Sequence, residues 1–391
     1  MQSLAKEVKQ ELTGRIVPFW EGLRDEEYGG FYGYQDFDLN VQKTYEKGCI
    51  LNSRILWFYS ASYNLLKDEG LLNKAKHAFD FLKNYFYDNV NSGLYWSLSA
   101  DAKPLDTTKH TYNQAFAIYG LSEYYKASKD KEALLLAYSL YDTIENKCRD
   151  KDGYFEAFTI DFKPESNEKL SENGVMAERT MNTLLHILEA YSVLYEADRN
   201  EKIGNSIREV LNIFKEKIYN PDKKICEVFF DKNYNSLIDL ESYGHDIEAS
   251  WLIYRALEVL DDKKYYDIML PVVEGLVEAS YINGIDKANN AMFNECEKKV
   301  ISRKKVWWVQ AESVTGFYNA YTLTNNEDYL NMSSKVWDYI QKYIIDKNTG
   351  EWIEDIQEDN TVTKGQALAH EWKCPYHNGR MCIEMIKRLS K

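Results

Sequence analysis

The feature that most constrains the fold of this chain is a repeat of helical segments. Segments with helical hydrophobic periodicity recur at intervals of roughly 60 to 70 residues, and an ordinary amphipathic segment follows each of them. Between the pairs, Gly or a polar turn precedes alternating aromatic residues, as at positions 93–96 and 350–353, which predicts short strands or hairpin arms. The recurring segments start near Gly48, Thr107, Ser171, Glu241, Lys304 and Glu371.

Six helix pairs joined in this way predict a closed ring rather than an open solenoid. We therefore expect an all-α fold, an (α/α)6 barrel in which six helix pairs form a closed toroid, with short β-hairpin-like connections at one end. Inner helices should surround the axis, outer helices should cover them, and the connections should frame a cleft. Nothing in the sequence indicates a domain boundary, so we expect residues 1–391 to form a single catalytic domain.

The two sets of helical segments differ in chemistry. One set carries most of the His, Trp and uncharged polar side chains, whereas the alternate set is rich in Leu, Ala and Lys. Of the six His, only His77 lies in the alternate set. Because polar residues on every inner helix must converge on the barrel axis, we assign the first set to the inside. Its notable residues are Arg54, Trp57, His110, Tyr112, Asn113, Gln114, Asn182, His186, His245, Glu248, Trp307, Trp308, Gln310, Glu312 and His377.

Composition excludes several classes of function. A net charge of −14 disfavours nucleic acid as a partner, since phosphates need a basic surface. No apolar run approaches the roughly 18–20 residues of a membrane span, and the first ten residues have no signal-peptide core, so we expect a cytoplasmic protein without membrane contact. Six scattered Cys with no CxxC pair indicate reduced thiols. The 31 Tyr, 16 Phe and 9 Trp are typical of proteins that stack aromatic rings on sugars.

The stretch 370–380 concentrates titratable and aromatic groups. A proline and a glycine interrupt it, which places these groups on a loop and on the first turn of a helix. A sugar site is one interpretation. Zinc is the alternative, because the spacing of His370, Cys374 and His377 could supply three ligands. Since no second Cys/His cluster would complete such a site, we expect no metal.

Several residues at helical spacing could carry acid–base chemistry. His245 and Glu248 share a helical face, so the carboxylate could prepare the imidazole as a general base, although a solvated surface pair has the same spacing. Asn182 and His186 also share a face, and alone they would equally suit a buried structural histidine. Arg54 lies in an apolar, aromatic helix, where a guanidinium is costly unless it meets an anion or several oxygens.

A pair of carboxylates is a further alternative. Glycosidases use two of them, one on each side of the scissile bond. The sequence does not define the distances between the acidic residues that could form such a pair. These are Glu172, Glu178, Asp246, Glu248 and Glu312.

The motifs of the inner set resemble those of the cellobiose 2-epimerases, within the N-acylglucosamine 2-epimerase superfamily. The resemblance runs from about residue 10 to the C-terminal end with the motifs in register. It implies an (α/α)6 barrel and activity without cofactor or metal. The matching segments are NSRILWFYS around Arg54, HTYNQAFAIYGL (110–121), MNTLLHILEAY (181–191), SYGHDIEASWL (242–252), WWVQAE (307–312) and WKCPYHNGR (372–380).

The resemblance also implies roles for individual residues. His245 and His377 match the family's two acid/base histidines, His186 matches a third histidine, and Arg54 matches the site arginine. The tryptophans that contact sugar correspond to Trp372 and to Trp308, with Trp307 as the neighbouring choice. Supporting positions correspond to Tyr112, Asn182 and Glu248.

The implied reaction is the reversible inversion of carbon 2 in the reducing-end sugar of β-1,4-linked disaccharides, such as cellobiose. Ring opening gives an aldehyde that acidifies the carbon 2 hydrogen, so one histidine can remove it and another, from the opposite wall, can return a proton. Arg54 and His186 would hold the charge of the enediolate, and Glu248 would orient His245. Trp308 and Trp372 would stack on the sugars.

Other functions fit the same sequence. A monosaccharide epimerase for N-acylglucosamine or mannose, or an aldose–ketose isomerase, would use the same enediolate. A non-catalytic carbohydrate-binding protein would leave the paired histidines without a role. The sequence does not decide between cellobiose and mannobiose as the natural disaccharide, and an acidic closed barrel is expected to be a monomer.

Overall fold

Twelve rods of helix form two concentric rings in the computed structural model, which describes residues 2–390. Each inner helix packs on the next, and the last one contacts the first, so the inner ring is closed. This confirms the predicted (α/α)6 barrel. The inner helices are α3 (Cys49–Leu66), α5 (Thr111–Ser128), α7 (Met181–Asp198), α9 (Tyr243–Leu260), α11 (Trp307–Thr324) and α13 (His377–Leu389).

The outer helices cover the gaps between the inner ones. Four of the outer rods contain a π-helical turn, at Leu12–Ile16, Leu82–Phe86, Phe214–Ile218 and Ile340–Ile344. The N-terminal rod joins α1 and α2 through the first of these turns and packs on α13, which completes the sixth pair. The outer helices are α1 (Gln2–Glu11) with α2 (Val17–Glu21), α4 (Glu69–Phe81), α6 (Lys131–Lys147), α8 (Glu201–Ile213), α10 (Lys263–Asn283) and α12 (Glu327–Tyr339).

The connections at one end of the barrel consist of two residues each. The first residue adopts a left-handed conformation that ends the inner helix, and the second is an Asp or Asn whose side chain caps the outer helix. At Lys67 φ is 58°, and the Asp68 carboxylate accepts from the Gly70 N–H. Such tight turns force each outer helix to run antiparallel to its inner partner. The other connections are Lys129–Asp130, Arg199–Asn200, Asp261–Asp262 and Asn325–Asn326.

The connections at the other end are long and contain all the strands. Each strand that directly precedes one of the first five inner helices pairs antiparallel with a strand that follows the next outer helix, and β1 pairs with β16 to close the series. The strands predicted at one end are thus present and short, but the connections that contain them are long. The strands are β1 (Gln35–Asp36), β2 (Lys47–Gly48), β3 (Ser97–Leu98), β4 (Pro104–Asp106), β5 (Lys109–His110), β6 (Ala157–Phe158), β7 (Arg179–Thr180), β8 (Tyr219–Asn220), β9 (Ile225–Cys226), β10 (Phe229–Phe230), β11 (Leu240–Glu241), β12 (Glu295–Glu297), β13 (Val300–Ser302), β14 (Lys305–Val306), β15 (Asp355–Ile356) and β16 (Ala367–Ala369).

Buried ion pairs fasten these connections. Lys47, in the strand before α3, meets Asp25 at 2.5 Å, and Lys109, before α5, meets Asp88 at 3.1 Å. Both lysines are fully buried, so each charge depends on its partner. Further pairs of this kind precede α7, α11 and α13: Arg179–Asp150, Lys305–Asp286 and Lys373–Glu351.

Inner helices approach one another closely. A Cβ on Gly120 would lie 2.7 Å from the carbonyl oxygen of Ser53, so α5 and α3 pack there without an intervening side chain. A Gly120→Ala substitution would push these two helices apart. No helix within residues 2–390 combines the length and the apolar character that crossing a membrane requires.

Three inner helices begin later than the sequence pattern indicates. α5, α7 and α13 start at Thr111, Met181 and His377, whereas the predicted starts lay near Thr107, Ser171 and Glu371. The residues before these starts belong to strands and turns, whose backbone groups bond to neighbouring connections. The polar residues of the predicted segments therefore lie at the very beginning of the helices.

Candidate active site

A cleft of about 290 Å³ opens at the end of the barrel where the inner helices begin. All six inner helices contribute side chains from their first two turns, and the loops before α7, α9, α11 and α13 form the rim. All ten residues predicted from the sequence line this cleft: Arg54, Tyr112, Asn182, His186, His245, Glu248, Trp307, Trp308, Trp372 and His377.

The repeated start of the inner helices explains this convergence. The second and sixth residues of a helix are four apart and share a face. In α7 these positions hold Asn182 and His186, and in α11 they hold Trp308 and Glu312. The sixth residues of α3 and α9 are Arg54 and Glu248. One position of the repeat thus supplies an Arg, a His and two Glu around a common axis.

Each of the three histidines is held through its Nδ1 atom. His377 Nδ1 lies 2.7 Å from Glu312 Oε1, and His186 Nδ1 lies 3.0 Å from Glu189 Oε2. A carboxylate can only accept, so both rings carry a proton on Nδ1. Within residues 2–390 the Nε2 atoms of these rings have no protein hydrogen-bond partner. A neutral imidazole in this tautomer presents a basic Nε2 to the cleft.

The third ring, His245, has a different partner. Its Nδ1 lies 2.8 Å from Ser242 Oγ, at the residue that precedes α9. The expected pairing with Glu248 is wrong, because Glu248 instead accepts a hydrogen bond from Arg380. A shared helical face permits a contact between His245 and Glu248, but a buried carboxylate gains more from a guanidinium than from a neutral imidazole.

Arg380 is the centre of a buried charge network. Its Nη1 donates to Glu189 Oε1 at 2.5 Å, and its Nη2 donates to Glu312 Oε1 at 2.7 Å and to Glu248. The Tyr376 hydroxyl donates to Glu189 Oε2 at 2.5 Å. One arginine of α13 therefore ties together carboxylates from α7, α9 and α11, two of which hold the histidines of the cleft.

Arg54 is a buried cation of another kind. Its Nη2 donates to the Tyr112 hydroxyl at 2.9 Å, and its guanidinium stacks on the rings of Phe116 and Tyr376 at 4.1 and 4.7 Å. Its Nε is buried without a hydrogen-bond partner, and no carboxylate among residues 2–390 forms an ion pair with it. A desolvated charge without a counterion suits an anionic or oxygen-rich ligand.

Aromatic rings surround the histidines. The Trp308 ring lies 4.8 Å from that of His245 and 5.3 Å from that of His377. Trp307 is buried between His377 and the Lys373 ammonium, which lies 4.5 Å from its ring. Trp308 and Trp372 are only partly buried, so their faces are available for stacking on a sugar.

The two histidines predicted as acid and base do not lie on opposite walls. His245 belongs to α9 and His377 to α13, the two helices that flank α11. The Trp308 ring of α11 lies beside both imidazoles. A ligand carbon beside Trp308 would meet the two rings from different sides.

Burial controls the protonation of these groups. It lowers the pKa of His245 from 6.5 to about 4, and it also lowers the pKa of His186 and His377. Burial raises the pKa of Glu312. Burial would raise that of Glu189 as well, but Arg380 and the hydrogen bonds hold the pKa of this carboxyl at about 2.

The zinc alternative finds no support in the geometry. His370 Nε2 lies 3.0 Å from Glu354, whereas Cys374 Sγ lies against Arg54 at 3.6 Å. A different trio converges within residues 2–390, namely Glu248, Glu312 and His377. Arg380 already donates to both of its carboxylates, so a positive charge occupies the position that a cation would need.

The carboxylate-pair alternative fails for a related reason. Glu248 and Glu312 are both engaged by Arg380, and Asp246 accepts from the Cys226 N–H. Glu172 and Glu178 are exposed. The arrangement needed for glycoside hydrolysis, a protonated acid opposite a free carboxylate, is not formed by these residues.

Sequence reasoning missed three residues that organise the site: Glu189, Tyr376 and Arg380. Arg380 and Tyr376 stood inside the stretch 370–380 without an assigned role. A signal was available for Glu189, because it follows His186 by three residues and so shares its helical face.

Comparison with known proteins agrees with this geometry. A family model described as N-acylglucosamine 2-epimerase (GlcNAc 2-epimerase) matches residues 20–378. A protein of Eubacterium cellulosolvens named cellobiose 2-epimerase is 49% identical over 397 residues, which cover 97% of this chain and 97% of that protein.

Solved structures give the same result. A sugar epimerase from a ruminal bacterium superposes with a TM-score of 0.97 at 46% identity, covering 98% of this chain and 99% of that one. A cellobiose 2-epimerase from Bacillus thermoamylovorans B4167 superposes with a TM-score of 0.95 at 42% identity, covering 99% of this chain and 100% of that one. The chain is thus similar in fold and over its whole length to enzymes of one type.

Proposed function

The chain belongs to the N-acylglucosamine 2-epimerase family, and from this membership we propose that it inverts carbon 2 of the reducing-end sugar of β-1,4-linked disaccharides. It is a carbohydrate epimerase, an isomerase. The finer proposal is that cellobiose is converted reversibly to 4-O-β-D-glucosyl-D-mannose. The relatives named cellobiose 2-epimerase support this choice of substrate.

The observation that carries the proposal is the meeting of three carboxylate- or hydroxyl-held imidazoles with a buried guanidinium in one cleft. Removal of a proton from carbon 2 needs a neutral base, and burial, which lowers the pKa of His245 and His377, favours the unprotonated form of an imidazole for that step. The negative charge that develops needs a preorganised donor. Arg54, whose Nε has no protein partner, supplies it.

The reaction proceeds from the open-chain aldose. One of His245 and His377 takes the carbon 2 proton, and the electron pair of that bond forms the C1=C2 double bond while the carbonyl oxygen becomes negative. The other histidine, which is protonated at this stage, then gives its proton to the opposite face of carbon 2. The C1=C2 electron pair forms the new C–H bond, the carbonyl re-forms, and proton exchange with solvent resets the two rings. Arg54 donates to the enediolate oxygens, whereas His186 Nε2, which carries no proton in this tautomer, can only accept a hydrogen bond. No electron acceptor is required.

The remaining residues bind the sugars. Trp308, beside both imidazoles, provides a platform for the reducing-end sugar, and Trp372 provides one for the second sugar. Asn182 Oδ1 is buried without a partner and can accept from a sugar hydroxyl. Trp307 is enclosed by protein and supports His377 instead. Because these side chains come from across the inner ring, we retain the proposal that residues 1–391 act as a single domain and as a monomer.

Proton NMR of the enzyme with cellobiose in heavy water, after treatment with a chelator, tests the proposal. We expect glucosyl-mannose with deuterium at carbon 2 only. Deuterium at carbon 1 in a ketose product would indicate an aldose–ketose isomerase. Turnover of monosaccharides alone would change the substrate, and release of free glucose would refute the histidine mechanism.

A further inference from the structure

The charges around the histidines do not balance. Five charged side chains are fully enclosed beside the cleft: Arg54, Glu189, Glu248, Glu312 and Arg380. Two guanidinium charges face three carboxylate charges, which leaves one negative charge when all the imidazoles are neutral. An uncompensated charge in a buried site is costly, and a proton is the simplest compensation.

We propose that Glu189 and Arg380 are positioning residues that retain one proton among the histidines of the cleft. This inference rests on the proposed function, because a reaction with two bases needs one of them protonated and the other neutral at every turnover. Arg380 holds the three carboxylates in place, and the uncompensated one attracts the proton. The proton is shared most directly at His377 and Glu312, 2.7 Å apart.

Arg380 and its three carboxylates, Glu189, Glu248 and Glu312, form a frame of buried charges. The carboxylates of this frame oppose the effect of burial on the pKa of the histidines. Burial alone lowers the pKa of the imidazoles of His186 and His377 and would leave the cleft without an acid. The carboxylates offset part of this loss: Glu189 bonds to the His186 ring, and the charge of Glu248, with its Oε1 3.9 Å from His377 Nδ1, opposes the lowering of the His377 pKa that burial and the charge of Arg380 produce. The frame therefore keeps an acid available where desolvation would remove it.

Other titratable groups around the histidines do not alter the count. Tyr112, Cys374 and Tyr376 have pKa values raised by burial and are neutral. The charged groups at the rim face solvent at least in part, so their fields are screened. These groups are Lys169, Glu172, Glu295 and Glu354.

Glu189 has a second effect, on the tautomer of His186. Its Oε2 accepts from His186 Nδ1, which keeps Nε2 deprotonated. Glu189 does not line the cleft itself, so it acts on a substrate only through His186 and through the network of Arg380. A substitution at Glu189 therefore changes the charge near the histidines without removing a contact to the substrate.

The test is the pH dependence of kcat/KM for cellobiose in Glu189→Gln. Removing the negative charge makes a protonated imidazole less stable, so we expect the alkaline limb of the profile to move to lower pH by about one unit or more. Glu189→Asp keeps the charge but shortens the reach to His186; it should lower kcat while leaving the limb near its wild-type position. An unchanged limb in a folded Glu189→Gln protein would overturn the inference.

The matched control is Glu196→Gln on the same helix. Glu196 is paired with Lys126 and Arg255 at the far end of α7, so its loss removes the same charge without reaching the cleft. Its profile should coincide with that of the wild type. A shift as large as that of Glu189→Gln would show that net charge, rather than the frame around Arg380, sets the profile.

A measurement on the unmodified protein covers the case in which Glu189→Gln does not fold. In ¹⁵N spectra of histidine-labelled protein at pH 7, one cleft imidazole should carry a second proton and His186 should carry its proton on Nδ1. Three neutral cleft imidazoles, or a His186 proton on Nε2, would refute the inference. Because the spectra do not depend on turnover, they also separate its failure from absence of epimerase activity, which would refute the proposed function instead.

Discussion

Replacement of Arg54 by methionine should abolish most activity without destabilising the barrel. The guanidinium is buried, makes one short hydrogen bond, to Tyr112 at 2.9 Å, and has longer contacts with Trp372 O at 3.4 Å and Cys374 Sγ at 3.6 Å. Methionine has a similar length and no charge. It would fill the space between Phe116 and Tyr376 while removing the donor that faces the cleft.

The expected stability change is small because opposing contributions nearly offset. Stacking on two aromatic rings contributes about 0.5–2 kcal/mol each, and the hydrogen bond to Tyr112 contributes about 1 kcal/mol. Desolvation of a cation without a carboxylate partner costs several kcal/mol. We therefore expect the free energy of unfolding to change by less than about 2 kcal/mol. Loss of a donor to a developing oxyanion, by contrast, costs about 10²–10³ in kcat.

Urea unfolding and initial rates on cellobiose measure the two effects on one preparation. Lys47→Met is the matched control, since Lys47 is an equally buried cation that is paired with Asp25 at 2.5 Å, away from the cleft. Breaking that pair should cost about 3–5 kcal/mol of stability and leave kcat of the folded enzyme nearly unchanged. If Arg54→Met lost stability as Lys47→Met does, or kept more than about a tenth of kcat, Arg54 would be a structural residue and the reasoning would be refuted.

Three further predictions concern the histidines and Trp372. His245→Asn and His377→Asn should each remove nearly all epimerisation with circular dichroism unchanged, and more than about a tenth of the wild-type rate in either would contradict its acid/base role. Trp372→Ala should lower kcat/KM for cellobiose more than for a monosaccharide; equal losses would exclude a role at the second sugar. Burial lowers the pKa of His245 from 6.5 to about 4, so the unfolded chain binds more protons in that interval. Its contribution to stability is complete above pH 6.5 and is lost as pH falls towards 4, and chemical unfolding of His245→Asn should therefore show a weaker acid destabilisation than the wild type.

The ring of helix pairs was predictable because its cause is local. The first five inner helices each end in two residues that stop one helix and cap the next, such as Lys67–Asp68 and Asn325–Asn326, and this chemistry repeats with the same spacing as the helices. The helix starts were less predictable. Before Met181 the polar residues could equally extend a helix, and strand β10 and Glu156, from other parts of the chain, hold them in extended form.

The residues of the cleft were predictable for a similar reason, but their partners were not. Helical spacing places Asn182 and His186 on one face, and all ten predicted residues indeed line the cleft. Spacing does not say which carboxylate an imidazole meets. Glu248 is bound by Arg380, which lies 132 positions away, and Glu312 rather than Glu248 holds His377 at 2.7 Å. Such choices are made by tertiary packing among three helices.

The position of the site at the helix starts has an electrostatic consequence that no single residue carries. All six inner helices direct their N-terminal ends towards the cleft, and each end carries about half a positive charge from its aligned peptide dipoles. This field disfavours imidazolium near the helix starts and favours an enediolate. The three glutamates that Arg380 pairs with lie further into the inner helices, where they restore negative potential that a protonated histidine needs. In the proposed reaction, the backbone of the barrel would stabilise the anionic intermediate, and the carboxylates bound by Arg380 would favour the protonated histidine that the same backbone disfavours.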